Sequence, residues 1–206
     1  MTHDSVMAFT LLIAYNSTQC VHKEDALPRV SYADPTADTA EQIAARRGGV
    51  LTPLDLLLCH NQSLALGWDR LVGGVRSNFT IGADVRELII LRVGKLNRAP
   101  YEWDSHLPVA LREGLPQNVI DCLTQDVAVT GHQAFDAVIA YVDAMTLSVE
   151  VPEHVVDALR AHHTESEIVE ITATIAVYNM VSRFLVALDV KTEDREAATV
   201  KVGRHA

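Results

Sequence analysis

The chain has 206 residues, 49% of them hydrophobic and 5% aromatic, and its 17 Lys and Arg stand against 27 Asp and Glu for a formal net charge of −10. That composition suits one compact soluble domain around one core. Basic residues never gather into a run longer than two, which argues against a nucleic-acid or anionic-membrane partner. The three cysteines, Cys20, Cys59 and Cys122, are scattered and make neither a C-x-x-C pair nor a metal-type spacing. Free thiols in a reducing compartment, and so a cytoplasmic protein, are the expectation. Met7 to Tyr15 is the longest apolar run near the start and is too short to span a bilayer. It follows Asp4 with no Lys or Arg upstream, unlike the start of a signal peptide.

Residues 1–37 mix polar, proline and apolar residues without periodicity and read as an arm that packs on the domain or on a neighbouring subunit. Residues 38–190 read as the domain proper, and helices dominate it. Asp38 with Glu41 resembles a capping box, and Gly48-Gly49 ends that short helix. Thr52-Pro53 starts the next, with Leu54, Leu57, Leu58, Leu64 and Leu71 as its apolar face. Gly82 and Asp84 open a helix carrying Glu87 that runs out at Gly94 and Asn97. Another spans about Pro100 to Glu113, with Pro108 inside it, where a missing N–H should bend the axis close to His106.

Gly114 and Pro116 mark a stop and a new start. Helices are expected over 131–147, from Pro152 to about His162, and over 165–188, the last capped by Thr164 with Glu167. No segment alternates with period two between turn residues, so the fold reads as all-α. Residues 191–206 are polar and charged, without an apolar face, and read as a flexible tail.

The chemistry-bearing residues fall in two of these helices. Glu102 and His106 are four apart and share a helix face. If the helix of Glu87 packs antiparallel, its carboxylate can meet them across the turn. A carboxylate beside an imidazole in an apolar cleft is a proton-transfer device; the commoner role of such an i, i+4 pair is a solvated surface contact. Tyr101, Trp103 and Tyr178 are candidate substrate-binding walls, with core packing as the alternative. Arg183, in an apolar stretch, and His60 are further substrate-binding candidates, against a salt bridge and a helix cap respectively. His132, His154, His162 and His163 form no H-E-x-x-H or comparable ligand set, so no metal is expected.

The segments CHNQSLALGWDRL, RELIILRVGKLNRAPYEWDSHLPVAL and EIVEITATIAVYNMVSRFLVALDV together resemble the carboxymuconolactone decarboxylase family, whose members share the AhpD-like fold. The resemblance covers roughly residues 50–190 and is sharpest in a Glu followed nineteen positions later by His, Glu87 and His106 here. It implies an all-α, AhpD-like helical bundle that assembles as a trimer or hexamer. One branch of the family uses a C-x-x-C thiol pair as a peroxidase, and Ala99 and Glu102 stand at those places here. That substitution weighs against a thiol peroxidase. The resemblance to the decarboxylase branch implies a cofactor-independent lyase or isomerase acting on a small carbonyl- or lactone-containing metabolite, with His106, Glu87 and Glu102 catalytic. The rival is a non-catalytic helical oligomer that binds a small ligand or a protein.

Overall fold

The computed structural model describes residues 28–194 and 198–202. The first 27 residues, with Cys20 and the Met7–Tyr15 run, and the last four lie outside the described residues, as do 195–197. Among the described residues nine helices account for nearly all regular structure: α1 (Ala37–Arg46), α2 (Pro53–Leu58), α3 (Gln62–Ser77), α4 (Ala83–Leu96), α5 (Pro100–Arg112), α6 (Gln117–Leu123), α7 (Gln133–Leu147), α8 (Glu153–Arg160) and α9 (Glu165–Ala187). Two short strands, β1 (Val50–Leu51) and β2 (Val200–Lys201), pair antiparallel.

The all-α expectation holds. α4 is the central helix, packed by α5, α7 and α9. Leu88, Ile89, Ile90, Leu91 and Val93 are fully buried, as befits a helix packed by neighbours on several sides, and Glu87 and Arg92 are buried with them. α9 is long and apolar enough to cross a membrane by length and composition, but half of its most apolar window is buried inside this bundle. The interior of α9 is polar at Thr174, Asn179 and Ser182, which are buried.

Local signals behave unevenly. Thr52 caps α2 through a full capping box with Asp55, and Thr164 caps α9 in the same way with Glu167. The first helix is capped by Thr36 instead of Asp38, because the Thr36 hydroxyl receives the Thr39 N–H. The leucines from Leu54 to Leu71 do not form one helix. The chain breaks at Cys59–His60, and Asn61 caps α3 by accepting from the Leu64 N–H at 3.0 Å. Leu64 and Leu71 are consequently exposed, while α3 buries Ala65, Trp68, Val72 and Val75. Helix α5 continues through Pro108 to Arg112.

The expected tail also differs. Asp194 is buried, and β2 adds to β1 at the register Val50 to Lys201 and Leu51 to Val200. A two-residue pairing needs no apolar periodicity, since backbone groups make it, and so it leaves no sequence signal. At the other end Arg29 N–H donates to the Leu188 carbonyl and Ala33 N–H to that of Leu56. These bonds lay residues 28–36 against α2 and the end of α9.

The hairpin of α4 and α5 sets the site. Its link is short, and Arg98 turns it with φ +54°, a conformation that non-glycine residues seldom adopt. The Asn97 side-chain amide donates to Asn179 Oδ1 at 3.0 Å and to Ser182 Oγ at 2.7 Å, locking the turn onto α9. Asn179 in turn donates to Thr146 Oγ1 at 3.0 Å. The antiparallel return brings the first turns of α4 beside the middle of α5.

Candidate active site

Glu87, Glu102 and His106 meet, and all three are buried, with 0%, 4% and 5% of their surface exposed. The solvated-pair reading of Glu102 and His106 is thereby removed. His106 Nδ1–H donates to Glu87 Oε2 at 2.6 Å, and its Nε2 lies 3.1 Å from Glu102 Oε1. Arg86 Nε approaches Glu87 Oε1 at 3.4 Å. Both imidazole nitrogens are thus engaged by carboxylates. Among the described residues no group of three or more His, Cys, Asp and Glu could hold a metal ion.

Burial disfavours charge on the imidazole, but the hydrogen bonds and negative charges of Glu102 and Glu87 outweigh it and hold His106 above its ordinary value. Burial likewise pushes the Glu87 carboxyl up. The hydrogen bond and charge of His106, helped by Arg86 and Arg76, overcome that and leave it below the usual carboxylate range. The arrangement is a buried imidazole clamped between two carboxylates, with the Glu87 side favouring the charged ring.

His106 and Glu102 form part of the wall of a cavity of about 250 Å³, whereas Glu87 stands behind His106 and away from it. That volume falls below the roughly 300–1,000 Å³ of pockets for drug-sized ligands and suits a small metabolite. Trp68, Val72 and Arg76, spaced by four along α3, supply one side of it. Helix α5 supplies Tyr101, Ser105 and Val109 beside Glu102 and His106, and α9 supplies Tyr178 and Val181. Val50, Thr52 and Leu54 close it, together with Arg47, whose Nη2 pairs with Asp55 Oδ1 at 3.1 Å.

Of the expected substrate-binding residues, Tyr101 and Tyr178 are at the cavity. The Tyr178 ring stands edge-on to His106, with centroids 5.5 Å apart and planes at 87°. Trp103 lies instead in a shallower surface groove with Lys95 and Arg98. Arg183 is exposed and reaches the Thr146 carbonyl at 3.4 Å, and His60 is exposed with Nε2 2.7 Å from the Ser31 carbonyl oxygen. Both are held by backbone oxygens away from the site.

Sequence reasoning missed Arg47, Trp68 and Arg76. The four-residue spacing of Trp68, Val72 and Arg76 was the available signal, since it aligns them on one helix face. Among the described residues, three buried donors on this cavity's residues have no hydrogen-bond partner: Trp68 Nε1, Tyr178 Oη and Arg47 Nε. An unpaired buried donor costs about 1–3 kcal/mol, so their concentration at one cavity calls for an explanation. Burial, with the negative charge of Glu102, also drives the Tyr178 hydroxyl far above its usual range, so it stays protonated as a donor.

Residues 63–144 match the carboxymuconolactone decarboxylase family. The resemblance read from the chain thus has a matching family model over that segment, within which the sequence holds no C-x-x-C pair. No curated protein matches the chain. Several solved structures share the fold. One is a protein of unknown function from Agrobacterium tumefaciens, put forward as the antioxidant defence protein AhpD. It is 26% identical, with 61% of this chain and 88% of that one covered at a TM-score of 0.57. A second is an uncharacterized peroxidase-related protein with an alkylhydroperoxidase AhpD core from Ralstonia eutropha, 17% identical over 81% of this chain and 92% of that one, TM-score 0.67. A third is the debrominase Bmp8 in complex with 2,3,4-tribromopyrrole, 20% identical over 78% and 87%, TM-score 0.63. Helix order and packing are therefore AhpD-like.

Proposed function

We propose that this protein is a cofactor-independent acid–base enzyme, a decarboxylase, other lyase or isomerase, acting on a small oxygenated metabolite with a carbonyl or lactone group. The observation that carries this reading is the buried imidazole held between two carboxylates, one of which opens onto a small cavity. A purely structural ion cluster would have no reason to present a carboxylate–imidazole pair to such a cavity. The AhpD-like fold it shares with the debrominase Bmp8 supports catalysis in general, not the lyase class in particular.

Glu102 and His106 are the groups that meet substrate. Where the reaction begins with proton removal from a carbon next to a carbonyl, the Glu102 carboxylate accepts the proton and the C–H electrons move onto the carbonyl oxygen as an enolate. Where it begins with loss of carbon dioxide, the C–C electrons form the same enolate. In the first case Glu102 gives the same proton back to the enolate at carbon and is a carboxylate again; in the second the proton that replaces carbon dioxide passes from His106 Nε2–H through Glu102 to that carbon, and solvent reprotonates the imidazole. Glu87, bonded to the far nitrogen, is a positioning residue that fixes the ring and stabilises its charge. The pair is worth about 10²–10⁴ in rate.

The test is to incubate the purified protein with candidate carbonyl and lactone acids and follow them by mass spectrometry, with Glu102→Gln alongside. Turnover that survives the substitution would favour the non-catalytic binder. Assembly as a trimer or hexamer belongs to the same proposal. Exposed Val127, Val129, Leu147 and Val149 offer apolar surface for it, and light scattering on the eluted protein measures it.

A further inference from the structure

The α3 and α9 walls of the cavity carry a chemical bias that the acid–base triad does not use. The Trp68 indole N–H and the Tyr178 hydroxyl are buried, line the same cavity, and find no acceptor among the described residues. Arg76, one turn on from Val72, lines it too and makes no ion pair among the described residues, although its charge is felt by both Glu87 and Tyr178. Arg47 differs, because Asp55 already neutralises it. In a chain of net charge −10, two guanidinium groups and two unpaired neutral donors therefore converge on one small space.

An apolar ligand would leave every one of those donors unpaired. A ligand rich in oxygen acceptors and carrying negative charge would pair them in a site shielded from water, where such bonds are strong.

Resting on the acid–base reading above, we propose that Trp68, Tyr178 and Arg76 form an oxyanion-binding wall, and that the substrate is a small anionic oxo acid. Its carboxylate lies against Arg76. Its carbonyl oxygen receives the Tyr178 and Trp68 hydrogens, so these donors stabilise the enolate as charge moves onto that oxygen. Tyr178 is edge-on to His106, which puts the oxygen-binding ring beside the proton-transfer pair. The wall thus sets substrate specificity and stabilises the transition state, whereas Glu102 and His106 handle the proton.

Binding can be read without knowing the substrate. The chain has two tryptophans, and Trp103→Phe removes the one in the separate surface groove, leaving Trp68 as the sole indole reporter. Oxalate, a planar mimic of an oxo-acid enolate, is titrated against the full-length protein by fluorescence, with neutral oxamide as the matched control. Saturable quenching or shift by oxalate alone is expected, with Kd raised at least tenfold by Tyr178→Phe and by Arg76→Met. Circular dichroism checks that each variant folds; should Tyr178→Phe fail, the half-buried Arg76 variant decides. Equal response to oxamide, no saturable response, or unchanged Kd in the folded variants would overturn the oxyanion wall. Loss of turnover in Glu102→Gln alongside absent oxalate binding would leave the acid–base reading standing without it. Intact oxalate binding with turnover unaffected by Glu102→Gln would do the reverse.

Discussion

Glu87 and Arg92 lie little more than one turn apart on α4, both with no exposed surface, yet their surroundings are built for different ends. Arg92 is completely satisfied. Its Nε and Nη2 grip the two oxygens of Asp143 at 2.7 and 2.6 Å, and the remaining hydrogens go to the carbonyls of Leu123, Gln125 and Asp126 at 2.9, 2.6 and 3.1 Å. All five guanidinium hydrogens have acceptors, and the group pins α4 to α7, to the end of α6 and to the loop that follows it. Glu87 pairs with His106 and Arg86, but at the cavity beyond His106 the Trp68 Nε1, Tyr178 Oη and Arg47 Nε donors have no partner among the described residues. A buried charge with every bond filled holds a fold together; a buried charge beside unfilled donors and a cavity is where chemistry is to be sought.

That contrast is open to attack by substitution. The largest effect belongs to Glu102→Gln, which keeps the side chain's shape and its acceptor for His106 Nε2. It should lower kcat/KM by about 10²–10⁴ in steady-state assays while moving Tm little. Equal loss of stability and activity would erase the distinction between the two regions. At the other region, Arg92→Met strands Asp143 and three carbonyls, and urea denaturation should show a loss of about 3–5 kcal/mol. A variant as stable as the parent would mean that the fully bonded guanidinium is not structural.

A pH series sharpens the Glu87 side. His106 is held above its ordinary 6.5, so its contribution to stability is full below that value and fades as pH rises through the raised one. Glu87 is held below its ordinary 4.5, so its contribution is full above that value and fades as pH falls through the lowered one. The stability deficit of Glu87→Gln against the parent should therefore be widest from about 4.5 to 6.5, narrowing on both sides. Nitrogen NMR of the imidazole should find its titration shifted to lower pH in the variant. An unshifted titration would mean that Glu87 does not stabilise the imidazolium. Smallest of all is Arg160→Ala. Its bonds to Glu153 and Asp157 are exposed to solvent, and thermal melting should not register their loss.

Composition, apolar periodicity and capping residues determined the all-α class and the extent of most helices, because those features act within a few residues of chain. The capping boxes of α2 and α9 show how completely such local signals can be realised. They could not foresee that Asn61 would split the leucine-rich stretch in two, or that residues around Val200 would return as a strand beside Val50, since each outcome depends on a competing local cap or a distant backbone. The nineteen-residue spacing of Glu87 and His106, read through the family resemblance, pointed to the carboxylate and imidazole that meet in the structure. Only the tertiary structure decided which aromatic and basic residues stand with it, admitting Trp68, Arg76 and Arg47 and leaving out Trp103, Arg183 and His60. A cavity is made by faces of helices far apart in the chain, and a side chain's place at its wall follows from the angle at which those helices pack, which no local pattern encodes.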